Sequence, residues 1–143
     1  MLVGLLALMM AALFTGAAFY INFAEHPARV LLPPAMARDQ WEPAYRRGFI
    51  MQSSLAVLGG MSGLAAWWST SQILYFAGAI TLLINWPYTL LAIMPVNNRL
   101  LAKGASDTDI IALLARWNRL HAGRTLLGVL SIIFFLSALV DLL

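Results

Sequence analysis

The chain has 143 residues, of which 62% are hydrophobic and only 10% charged, and its mean hydropathy is +0.81. Soluble domains carry roughly 25% charged residues, so this composition describes a membrane protein, and the length describes one domain over residues 1–143. The lack of cysteine excludes disulfides, thiolate metal sites and cysteine nucleophiles. The net charge of +3 is a topology signal and not a nucleic-acid footprint, because all nine Lys/Arg lie between Arg29 and Arg47 or between Arg99 and Arg124.

A bilayer core about 30 Å thick needs roughly 20 apolar residues per helix, and four stretches supply them, at about 1–26, 45–68, 72–95 and 120–141. Met1 to Ala24 carries no charge and lacks the basic flank of a cleaved signal peptide, which makes it a retained span. The second span contains Gly59-Gly60-Met61-Ser62-Gly63, small residues whose spacing lets helix backbones approach closely. That face can serve the bundle or a homo-oligomer. The short, uncharged Ser69-Thr70-Ser71 predicts a tight hairpin into the third span. From Asp107 to Leu120, Ile110, Ile111, Leu113, Leu114 and Trp117 alternate with Asp107, Asp109, Arg116 and Arg119. This pattern predicts an amphipathic helix on the cytoplasmic surface before the last span. The fold expected is all-α, an antiparallel four-transmembrane-helix bundle. The positive-inside rule puts both basic connections in the cytoplasm and both termini outside, in the plasma (bacterial inner) membrane.

Polar residues gather at one end of the four spans. The first ends with Asn22, Glu25 and His26, spaced to share one helix face. The second begins with Tyr45, Arg46 and Arg47 and carries Gln52. The third holds Asn85-Trp86-Pro87-Tyr88 and exits through Asn97, and the fourth begins with Trp117, His121 and Arg124 at i, i+4, i+7. Asn85 lies about nine residues, or roughly 13 Å, inside its span, where an amide is costly without partners in the bundle. Simpler roles exist for several of these residues. Arg46, Arg47, Arg99 and Lys103 suit topology and lipid phosphates, and Trp41, Trp67, Trp68 and Tyr75 suit an interfacial belt. Glu25 can pair with Arg29 four residues on, and Asn85 can fasten two helices. The convergence of all these groups on one leaflet still points to a pocket.

The blocks "INFAEHPAR", "YRRGFIMQ", "NWPYTLLAIMPVNNRLL" and "ARWNRLHAGRTLLG" resemble the anthrone oxygenase-like family of small four-helix membrane proteins. The resemblance implies oxidation of polycyclic anthrones to anthraquinones, with no cofactor established. It brings no catalytic residue set, so the roles that follow rest on chemistry alone.

An anthrone carries an acidic CH₂, and loss of its proton leaves an enolate that can react with dioxygen without a metal. His121 or His26 can be the base, since imidazole titrates near working pH. Arg124 and Asn85 can stabilise the oxyanion, and Glu25 can orient a histidine. Trp86, Tyr88 and Trp117 can flank flat rings, with Asn22, Tyr45, Arg47, Gln52 and Asn97 completing a substrate site. A second reading gives His26, His121 and Glu25 to iron or copper, or makes the two histidines axial ligands of a haem. A third, non-enzymatic reading is a small carrier or a quinone- or lipid-binding protein. The partners expected are the bilayer and a hydrophobic small molecule.

Overall fold

The computed structural model of the chain describes residues 1–102 and 104–141, and Lys103 lies outside them. Four helical runs dominate: α1 (Leu2–Arg29), α2 (Pro34–Thr70), α3 (Ile73–Leu101) and α4 (Asp107–Val140), each long and apolar enough to cross a membrane. The described residues contain no strand. The helices run up and down in order, each packing on its chain neighbours, and α4 closes the ring against α1. The hairpin between α2 and α3 turns at Ser71, which takes a left-handed φ of 58°. Gln72 in that turn donates to Asp141 beyond α4 at 3.2 Å, which puts the hairpin and the C-terminal end together.

All four runs outreach the expected spans, and the excess has a use. At 1.5 Å per residue the 34-residue α4 is about 51 Å long, well beyond a 30 Å hydrocarbon layer. The amphipathic segment expected on the cytoplasmic surface forms the first four turns of α4 itself. Its Ile110, Leu113, Leu114 and Trp117 are buried against Ala37 and Trp41 of α2 and Ile93, Val96 and Leu100 of α3. Because α2 begins at Pro34 and α3 continues to Leu101, partners are available for that apolar stripe, and it packs on them instead of on lipid. Trp41 and Tyr75, expected at the interface, are buried core residues, while Trp68 is exposed.

A second apolar core lies toward the hairpin end, built from Ala7, Ala11 and Phe14 of α1, Ala56 and Ala66 of α2, Tyr75, Ala79 and Leu82 of α3, and Phe135 and Ala138 of α4. Small residues let the backbones approach here. A Cβ on Gly59 would meet Leu82 at 2.6 Å, and one on Gly63 would meet the Phe135 ring at 2.7 Å and Ala79 at 3.0 Å. The glycine face of α2 is therefore consumed inside the bundle.

Between the two cores, α1 and α3 each contain a π turn, at Ile21–Glu25 and Thr89–Ile93. A proline follows each turn two residues after its end, Pro27 and Pro95. Proline lacks an N–H and crowds the carbonyl four residues back, and the wider turn with its i→i+5 bonding accommodates that. Pro27 does not end α1, contrary to the expected boundary near residue 26, and the helix continues to Arg29. Near Pro87, α3 is interrupted by a turn at Ile84.

The tight packing sets one expectation. Gly63→Val forces Phe135 and Ala79 apart and lowers stability by about 1–3 kcal/mol, measured as the unfolding midpoint in detergent. Gly16→Ala, where a Cβ meets nothing within 4 Å, leaves stability unchanged or slightly higher.

Candidate functional site

The layer between the two cores is polar. Gln52 from α2, Asn85 and Thr89 from α3, and His121 and Arg124 from α4 are all buried there, with His26 and Arg29 of α1 beside them. A cavity in this layer is lined by Ile21, Glu25 and Arg29 of α1, Ala44, Tyr45, Gly48, Phe49 and Gln52 of α2, Thr89, Ile93 and Asn97 of α3, and Trp117, His121 and Arg124 of α4. Both π turns thus contribute to its wall. The cavity is narrow, with room for little more than a water molecule between its side chains. A flat multi-ring molecule would have to part side chains to enter. A second cavity of about 260 Å³ adjoins it, sharing Phe49, Thr89 and Arg124 and adding Ser53, Ala56, Asn85, Trp86 and Leu90.

His121 is held from behind. Asn22 Nδ2 donates to the Asn118 backbone carbonyl at 3.0 Å and to Asn118 Oδ1 at 2.7 Å. A backbone carbonyl cannot donate, so this contact fixes which way the Asn22 amide faces. Asn22 Oδ1 then accepts from the Thr125 hydroxyl at 2.7 Å and lies 3.4 Å from His121 Nδ1. An acceptor oxygen at this position favours the proton on Nδ1, with the Nε2 lone pair then free. The imidazole also stacks on Trp117, with centroids 4.9 Å apart.

Trp117 is the shared neighbour of this end. Its indole meets Trp41 edge-on at 6.0 Å, His26 at 6.4 Å and the Arg29 guanidinium at 5.7 Å. Arg29 pairs with Glu25 one helical turn before it and with Gln40 of α2. Glu25 therefore neutralises Arg29, and the residue orienting a histidine is Asn22. His26 is buried, its Nδ1 has no partner among the described residues, and it lines neither cavity.

The other expected site residues divide. Tyr45 lines the first cavity and stacks on Trp41, 4.9 Å away and 2° from parallel, and its hydroxyl lies 3.7 Å from Met94 sulfur. Gln52 and Asn97 line it too, fully buried, with Gln52 Nε2 and both Asn97 amide atoms unpartnered among the described residues. Asn85 belongs to the second cavity. Its Nδ2 donates to Leu82 O at 3.0 Å, which leaves its oxygen, an acceptor and not a donor, without a protein partner. Trp86 is there as well, 42% exposed. Tyr88 is a fastener: its hydroxyl donates to Leu120 O at 2.8 Å and packs on Gly123, and it lines neither cavity. Arg47 faces outward from α2. Among the described residues no three His/Cys/Asp/Glu side chains are grouped to hold a metal ion. The expected set of His26, His121 and Glu25 is divided because Glu25 turns to Arg29.

Sequence reading missed Arg29 as a cavity residue, because α1 was expected to stop before it. It also missed Asn118 and Thr125. Their spacing around His121 (i−3 and i+4) carries the signal, but the partner that uses it, Asn22, is on another helix.

Arg124 stands apart. It is 6% exposed, and among the described residues it makes no ion pair and no hydrogen bond. Its guanidinium sits over Phe14, 5.3 Å from the ring centroid, which offsets only part of the cost of a buried charge. Arg124→Met is expected to raise the stability of the ligand-free protein by about 1–3 kcal/mol, read from thermal unfolding in detergent. A loss of stability there would mean that the cation is structural.

The anthrone oxygenase family model matches residues 41–134. The match begins at Trp41 and continues past Arg124, and so includes the cavity residues of α2, α3 and α4. Neither the curated proteins nor the solved structures contain a match. With well over half of its length matched, and four helices able to cross a membrane, the chain belongs to the anthrone oxygenase family.

Proposed function

We propose that the protein is a membrane-embedded oxygenase that oxidises a hydrophobic aromatic or quinol-like molecule with dioxygen in the polar layer. The observation that carries this reading is the contact between Asn22 Oδ1 and His121 Nδ1 at the cavity wall. With the proton on Nδ1, the lone pair on Nε2 is available as a base in a cavity that also contains a guanidinium. General-base catalysis needs that arrangement.

The substrate on this reading is anthrone-like. His121 takes one proton from the ring CH₂, and the electron pair left behind forms an enolate whose oxygen faces Arg124. The enolate carbon passes electrons to dioxygen and forms a C–O bond, and the resulting peroxide takes up the proton. Loss of the second C–H proton and cleavage of the O–O bond then form the ketone and release water. The unpartnered amide donors Gln52 Nε2 and Asn97 Nδ2 suit the reduced oxygen species, and the free Asn85 oxygen suits a substrate hydroxyl. Phe49 offers a face to the rings. The apolar cores on either side keep water from the enolate.

The test is dioxygen uptake by the purified chain with an anthrone as substrate. His121→Ala is expected to lower kcat by about 10²–10⁴-fold, with Asn22→Ala having a smaller effect in the same direction. His26→Ala is expected to retain most of the activity. Intact turnover in His121→Ala would overturn the assignment.

We also propose that the polar layer lies toward the cytoplasmic face of the plasma membrane with both termini outside, on the strength of the two basic connections. The cysteine-free chain allows a direct check. In intact cells a membrane-impermeant maleimide is expected to label Ser71→Cys in the hairpin and to spare Ser106→Cys before α4.

A further inference from the structure

Two arginines are buried among the described residues, and they are in opposite situations. Arg29 is neutralised by Glu25 and braced by Gln40. Arg124 has neither a carboxylate nor a hydrogen-bond acceptor, and it lines both inner cavities. An ion buried among apolar helices without a counter-charge is costly. A bundle that keeps one beside a cavity is complementary to an anion.

A third cavity shows how such an anion can arrive. It opens on the outer face of the bundle between α2 and α3, where Val57, Leu58 and Trp86 are exposed. It is a shallow, open depression lined by Ser53, Ser54, Val57, Leu58 and Trp86. Ser53 and Trp86 line both this cavity and the second, and Phe49, Thr89 and Arg124 line both the second and the first. The three form one line of cavities from the lipid-facing surface to His121, with Arg124 where the inner two meet. Its entrance is set in exposed leucine, valine and tryptophan, a surface for lipid and not for water.

We infer that the cleft between α2 and α3 is the entry and binding slot for a lipophilic aromatic molecule that carries a single ionised oxygen, and that Arg124 anchors that oxygen. The inference rests on the reading of this layer as a substrate site and adds the substrate class: a membrane-dissolved phenol or aromatic acid bound as its anion. Phe49 and Trp86 flank the route, and their side chains must swing to admit a ring system, since the inner cavities are narrow. A phospholipid headgroup offers a similar oxyanion on an apolar body, so the test has to separate the two.

The full-length chain in phosphatidylcholine nanodiscs is titrated with anthracenecarboxylate and with its neutral counterpart, anthracenemethanol. Binding is followed by energy transfer from the protein's tryptophans. The carboxylate is expected to bind about tenfold tighter or more, as a charge-assisted contact provides. Arg124→Gln is expected to remove that preference and Arg124→Lys to keep part of it. Ser53→Cys in the cysteine-free chain provides a second measurement. The carboxylate is expected to slow reaction of the introduced thiol with a lipid-soluble maleimide, while Leu130→Cys on the outer face of α4 (38% exposed) is unaffected.

Equal affinity for the two probes, a preference that survives in Arg124→Gln, or displacement of the carboxylate by phosphatidylglycerol would each overturn the inference. Should Arg124→Gln not fold, the ratio of the two probes on the native protein and the protection at position 53 still decide. Binding is measured without turnover, so failure of the His121 assignment and failure of this one remain distinguishable.

Discussion

A guanidinium enclosed by four apolar helices is the constraint around which this molecule is arranged. In a medium without water each polar group needs a protein partner or remains costly, and several of the polar groups here have one. Thr15 bonds to Ala11, Ser131 to Gly78, Asn22 to Asn118 and Thr125, and Arg29 to Glu25. Against that background Arg124 is conspicuous, as are the unpartnered atoms of Gln52, Asn85, Asn97 and Trp117 near it. Only the Tyr75 hydroxyl, among the unpartnered buried atoms, lies in the core at the hairpin end. Unmet polar groups concentrated in one layer are what a site for a polar-tipped ligand requires.

The two cores allow such a layer to exist. Toward the hairpin, glycine and alanine bring the backbones into contact and leave no room between the helices. At the other end Trp41 and Trp117 are large enough to hold the helices apart, and the helix ends that extend beyond a bilayer's thickness pack around them. The polar layer is thus closed on both sides along the bundle axis, and its opening faces sideways, between α2 and α3. The π turns on α1 and α3 sit in the same layer, consistent with the frequent use of such turns to re-aim side chains at functional sites.

The membrane class, the four spans, the hairpin and the concentration of polar residues at one end were all legible from composition and periodicity, because hydropathy and charge placement are local properties. So were seven of the cavity residues, Glu25, Tyr45, Gln52, Asn97, Trp117, His121 and Arg124, through their spacing on single helices. The assignment of partners was not legible. Whether Glu25 serves Arg29 or a histidine depends on competition between a partner one turn away and partners on other helices, and spacing lists only the first. Tyr88 read as a ring-stacking residue because aromatic side chains suit that role, but its hydroxyl found Leu120 O across the bundle.

The sequence alone determined that the chain builds four membrane-crossing helices and which residues are too polar to face lipid, since both follow from the transfer energy of each side chain. Only the tertiary structure decided that the amphipathic start of α4 is core, that Asn22 lies against His121 Nδ1 and that Arg124 has no counter-ion among the described residues. Those outcomes depend on which helix faces which, and at what depth. In a low-dielectric interior a polar group's energy is set by the few atoms it touches, and those atoms come from distant parts of the chain.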